Sequence, residues 1–160
     1  MMMKVLLLSF LLCCYSLQGE YHVQKIWLFT KIQYSGNEPV NRDGKHLRNN
    51  PVLLICYLQI SRKIKAPDWE TAIIGSNKYK VEAEQVNGDS VAVGTLKDTN
   101  SAVVIKAGPD SKLIQLTLTL PGKMKKPEAW PFLLNGTLNR KPVYIRSNAP
   151  TVELAPDLMP

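Results

Sequence analysis

In LIQLTLTLPG, Leu113–Gly122, the apolar residues Ile114, Leu116, Leu118 and Leu120 alternate with Gln115, Thr117 and Thr119. Period two places each set on its own side of a pleated strand, one side dry and the other wet. Three stretches of similar texture lie upstream: KYKVEAEQV (Lys78–Val86), SVAVGTLKD (Ser90–Asp98) and SAVVIKAG (Ser101–Gly108). Asn87-Gly88-Asp89, Thr99-Asn100 and Pro109–Lys112 separate them, hairpin-length connections rich in turn formers. The four together predict an antiparallel meander. No helix is available to cross between parallel strands, which excludes doubly wound folds.

Further upstream, NNPVLLICYLQISRK (Asn49–Lys63) has Val52, Leu54, Cys56, Leu58 and Ile60 on one parity. The other parity is apolar at its start and polar at its end, the pattern of a central strand partly covered on both sides. Cys56 lies mid-set between leucines. There it acts as a small hydrophobe with a raised thiol pKa, so core packing is preferred over its rival, an intermolecular disulfide. YHVQKIWLFTKIQY (Tyr21–Tyr34) alternates too, with Thr30 the one break. KAPDWETAIIGSN (Lys65–Asn77) is the single segment with helical signals: Asp68 as a cap, Glu70 in the first turn and Gly75 as a stop. Downstream, FLLNGTLN and PVYIRS are two more strand candidates.

The expected architecture is all-β, a single antiparallel domain over residues 20–147 with about seven to nine strands. It forms either a meander-rich sandwich or a small barrel. The tail at 148–160, with its prolines and acids, is expected to lie along the surface or fray.

At the N-terminus, MMMKVLLLSFLLCCYSLQGEY has one charge at Lys4, an apolar run of about a dozen residues and then small or polar residues. That order reads as a secretory signal over residues 1–19, cut after Ser16 or Gly19. The run is shorter than the roughly twenty residues a membrane span needs, so no transmembrane segment and an extracellular destination are expected. Two of the 3 cysteines fall in the signal, which leaves none to pair with Cys56 within the chain.

The 20 Lys/Arg against 13 Asp/Glu give a net charge of +7. Part of that excess sits in two loops, at Arg42, Lys45 and Arg48 and at Lys123, Lys125 and Lys126. Outside a cell such loops suit an acidic protein or a sulfated glycan, while the compartment argues against nucleic acid. Asn135-Gly136-Thr137 is an N-glycosylation sequon, which a secretory address makes usable.

Catalytic signals are sparse. Gly88-Asp89-Ser90 resembles the nucleophile motif of the GDSL hydrolases over four positions, with Val91 in place of leucine. A serine hydrolase also needs a histidine base within reach. Only His22 and His46 are present, so the triplet is read as a turn. No metal-ligand spacing and no phosphate loop occurs, and no cofactor is expected. QKIWLF resembles the first lipocalin strand in placing Trp27 early in a meander, although Lys25 stands where that family has glycine. The resemblance implies a cup that holds a small apolar ligand. The sequence thus predicts a secreted, non-enzymatic binding protein acting through its basic loops, with a lipocalin-like carrier as the alternative.

Overall fold

The structure, a computed structural model, describes residues 19–33, 42–44, 51–120 and 131–156. Among them the chain forms twelve strands and no helix. Accordingly, no helix there is long and apolar enough to cross a membrane. Apart from Gly19, the expected signal peptide lies outside the described residues.

The Leu113–Leu120 alternation belongs to β9 (Ser111–Leu120), whose antiparallel neighbour is β3 (Val52–Ser61). In this register Leu118 faces Leu54, Leu116 faces Cys56, and Ile114 faces Leu58. On the far side of β3, β2 (Lys25–Ile32) sets Leu28 opposite Cys56. β6 (Glu82–Gln85) flanks β9, and β12 (Thr151–Glu153) runs parallel to β2, which completes a sheet in the order β12-β2-β3-β9-β6. The second sheet contains β1 (Gly19–Glu20), β11 (Lys141–Ser147), β10 (Phe132–Leu138), β4 (Asp68–Ile74) and β5 (Asn77–Lys80), in that order.

The two sheets bury one common core. Leu28, Leu54, Cys56, Leu58, Leu116 and Leu118 enter it from the first sheet; Trp69, Ala72, Ile74, Leu134 and Ile145 enter from the second. Neither sheet closes into a barrel, and two sheets sharing one core make the arrangement sandwich-like. Ser111 is buried and polar, and its hydroxyl donates to Gln24 Oε1 at 2.7 Å. The Gln59 amide donates to the same oxygen at 2.9 Å, so this corner of the first sheet is held by side chains.

A third layer departs from the expected meander. β7 (Ser90–Thr95) and β8 (Ala102–Lys106) pair only with each other among the named strands, and β9 takes β3 and β6 as neighbours instead. Both edges of β9 are therefore occupied. The hairpin leaves Val104 exposed and packs Val91, Val93 and Val103 against the outer face of the first sheet. There Val91, Val93, Val103 and Ile105 meet Phe29, Tyr57 and Leu113 in a second core. This explains why β3 is apolar on both parities: each of its faces has a layer on it.

Two other expectations are corrected. Asp68–Ile74 is strand, not helix. Asn135 pairs with Thr71 but Gly136 pairs with Trp69, so Glu70 is the extra residue of a β-bulge. The bulge moves the inward set from Trp69 to Ala72 and Ile74, and an i, i+3 spacing of inward residues imitates a helix. Gly75 then turns the chain with φ +60°. The C-terminal stretch does not simply fray or lie on the surface. Thr151–Glu153 pairs with Leu28–Thr30, Leu154 is buried in the second core, and Leu154 also bridges Leu96 at the end of the hairpin.

Candidate interaction surface

The sandwich has two ends, and register decides what each one carries. Ile32, Val52 and Leu120 are consecutive partners across β2, β3 and β9. With neighbouring strands about 4.8 Å apart, the outer two anchors are separated by about 10 Å. Both basic segments identified in the sequence are joined to the fold here, one between Ile32 and Val52 and the other after Leu120. β5 and β6 are separated only by Val81, whose N–H bonds the Glu70 carbonyl at 3.0 Å, so the chain runs on from one sheet into the other. β6 runs from the Thr117 level toward Ile114, away from Val52. Asn77 and its ladder neighbour Ile74 therefore lie toward the Val52 end, whereas Arg146 on β11 borders the hollow of His22 and Val23, next to Gln24, whose N–H bonds the Gln59 carbonyl far from Val52. That location also brings exposed Lys78 to this end.

Charge differs between the two ends. The segment 33–51 carries Arg42, Lys45 and Arg48 against Glu38 and Asp43; segment 121–131 carries Lys123, Lys125 and Lys126 against Glu128. At the opposite end, Arg62, Lys63, Lys65 and Lys112, together with Arg140 and Lys141 beyond the Asp68–Thr137 pair, are interleaved with Asp68, Glu84, Asp89 and Asp110. Arg62 there is committed: it is ion-paired with Asp89, and its Nε donates to the Ser111 carbonyl at 2.8 Å.

Of the six cations expected to form the binding loops, Arg42 is described and is exposed in a turn that Gly44 closes at φ +74°. Lys45, Arg48, Lys123, Lys125 and Lys126 lie outside the described residues, as does His46. Cys56 is 1% exposed, with Leu28 and Leu116 as its cross-strand neighbours. Burial pushes its thiol pKa far above the ordinary range. A thiol so enclosed is a poor partner for an intermolecular disulfide.

Ser90 opens β7, Asp89 before it is held by Arg62, and Gly88 turns the chain with φ +90°, so the GDSL-like triplet is built into a turn. His22 lies elsewhere, in a hollow of about 250 Å³ with Tyr21 and Arg146. Lys25, which stands where lipocalins have glycine, places its ammonium 4.7 Å from the Trp27 ring centre. Leucines at or near zero exposure fill the space between the sheets. The apolar surplus that suggested a ligand cup is used to pack three layers.

Sequence reasoning missed the outer face of the second sheet. The first sheet is covered on both sides, but no described residues form a layer over Leu133, Asn135, Thr137 and Tyr144. Asn135 sits opposite Tyr144 on one side and Thr71 on the other, with the Arg146 guanidinium 5.9 Å from the Tyr144 ring centre. The alternation Leu133, Asn135, Thr137 was the available signal, but it could not show which strand faces remain open.

No family model matches the chain, and neither does any curated protein. Among solved structures it is similar to AggA, the major subunit of aggregative adherence fimbriae type I from Escherichia coli. The TM-score is 0.26 and the identity 9%, over 86% of this chain and 98% of that one. Likeness at that score is too loose to carry fold or function across.

Proposed function

We propose that the protein is a secreted, non-enzymatic binding module that engages an acidic extracellular protein or a sulfated glycan through the Val52 end of its sandwich. The observation that supports this most is the common anchoring of two basic segments at Ile32, Val52 and Leu120, on the side of exposed Lys78. A rigid scaffold that gathers like charges at one end holds them against their mutual repulsion, and an anionic partner relieves it.

The test is salt elution from a sulfated polysaccharide matrix. Lys123→Ser/Lys125→Ser/Lys126→Ser should elute at clearly lower salt than wild type. Arg62→Ser/Lys63→Ser/Lys65→Ser, which removes equal charge at the opposite end, should shift much less. Equal shifts would mean retention by net charge alone, and the assignment of the binding end would fall. Elution of the wild type near physiological salt would remove the glycan and leave an acidic protein as the partner.

A further inference from the structure

The open face of the second sheet carries a residue that strand formation does not explain. Asparagine is disfavoured in strands, yet Asn135 occupies the middle of β10, paired on both sides. Its side-chain amide has no hydrogen bond to any described residue. The other two residues of the sequon are accounted for locally. A Cβ at Gly136 would come within 2.6 Å of the Asp68 carbonyl oxygen, so its place against β4 demands glycine. Thr137 is on the same open side as Asn135, with its hydroxyl 3.5 Å from Glu70 Oε1. What remains is an unbonded amide in the centre of an uncovered face, across the ladder from an aromatic ring.

We propose that Asn135 bears an N-linked glycan whose first sugar lies on this face against the Tyr144 ring. The transfer joins Asn135 Nδ2 to the anomeric carbon of a sugar delivered as a polyprenyl-diphosphate ester. The N–C bond forms as the C–O bond to the diphosphate breaks; the lipid diphosphate leaves with the electron pair, and the amide loses one proton. Transfer acts on the extended chain, so the fold has only to tolerate the product. It does so because Asn135 points away from both cores. Tyr144 is the directly opposed residue on the neighbouring strand, where Cβ atoms are typically about 4.5–5.5 Å apart, and its ring offers a flat apolar surface to the C–H face of a pyranose. The glycan would lie on the face that no layer of described residues covers.

This inference rests on the secretory part of the proposed function, and one experiment separates their failures. The full chain is expressed in a eukaryotic secretory host, and the mass of the medium protein is read before and after enzymatic cleavage of the Asn–sugar bond. The expected result is a secreted protein carrying a glycan mass that cleavage removes and Asn135→Gln abolishes. Secretion with a bare Asn135 would overturn the glycan while the secretory reading stands; retention inside the cell would overturn both. For the sugar–ring contact, cleavage should lower Tm by about 2–5 °C in the wild type and by distinctly less in Tyr144→Ala. Equal shifts in the two would overturn the contact.

Discussion

Gly136→Ala is the sharpest test of how the second sheet is built. Gly136 has no positive φ, so the substitution adds a methyl without backbone strain of the left-handed kind. The new Cβ would lie 2.6 Å from the Asp68 carbonyl oxygen, 2.8 Å from Trp69 Cε3 and 3.1 Å from Trp69 Cα. Two of the three are backbone atoms of the neighbouring strand, and Gly136 and Thr137 pair with Trp69 and Asp68 in the ladder. Retreat by β4 therefore breaks the hydrogen bonds that hold the two strands together. Overpacking typically costs about 1–3 kcal/mol, and a clash that a rotamer change cannot relieve belongs at the upper end. About 3 kcal/mol corresponds to a fall in Tm of about 10 °C for a chain of this size. Urea unfolding reads it as a lower midpoint at constant m. The sequon survives as Asn-Ala-Thr, so glycan loss does not confound the result. Trp69→Leu in the same background removes the 2.8 Å contact but leaves the carbonyl, so rescue should be partial. A Gly136→Ala protein as stable as wild type, or full rescue by Trp69→Leu, would refute the assignment to the β4 backbone.

Other expectations concern the cores. Cys56 should resist thiol reagents in the native protein and react only on unfolding; rapid native labelling would contradict its burial. Burial also raises the pKa values of Tyr21 and Tyr57, so the folded state holds all three protons more tightly than the unfolded chain does. Their stabilisation is whole below the ordinary thiol value of 9.0 and is lost progressively as pH rises past it and past the phenol value of 10.0. Urea midpoints should therefore decline above about pH 9 in the wild type and only above about pH 10 in Cys56→Ala. Ser111→Ala removes a buried donor to Gln24 and should cost about 1–2 kcal/mol by urea unfolding; a neutral change would mean that water substitutes for the hydroxyl. Leu154→Ala should cost about 2–4 kcal/mol and speed amide exchange at Val103 and Ile105 before that at Leu116. Uniform acceleration would deny the hairpin layer any independence.

Much of the fold was legible because strands announce themselves by period two, as β3 and β9 do, and β2 with its one break at Thr30. The sequence failed where geometry breaks that period or where long-range pairing decides the outcome. The Glu70 bulge changes the parity of β4 between Trp69 and Ala72, and no count of residues reveals an extra one. The tail reads as polar and proline-rich, yet Thr151–Glu153 finds the free edge of β2, and buried Leu154, with backbone bonds from Lys97 to Glu153 and from Ala155 to Thr95, ties the tail to the hairpin. The meander failed for a related reason. Short connections predict that consecutive strands are neighbours, but the apolar second face of β3 gave the β7–β8 valines a larger surface to bury than a sheet edge offers.

The same long-range logic governs the candidate surface. In the sequence, Arg42 and Lys123 are separated by three strands of the first sheet, two of the second and the β7–β8 hairpin, and nothing local relates them. Only the register that puts Val52 beside both Ile32 and Leu120 joins their segments to one end of the molecule. Asn135 is the opposite case. Its motif is wholly local and was visible at once, but its setting on the uncovered face was not, because that depends on where the third layer went. Covering the first sheet with the hairpin uses the apolar surplus of the chain on one side of the sandwich. On the other side, the face of Leu133, Asn135, Thr137 and Tyr144 has no layer of described residues on it, which is the setting of the proposed Asn135 glycan.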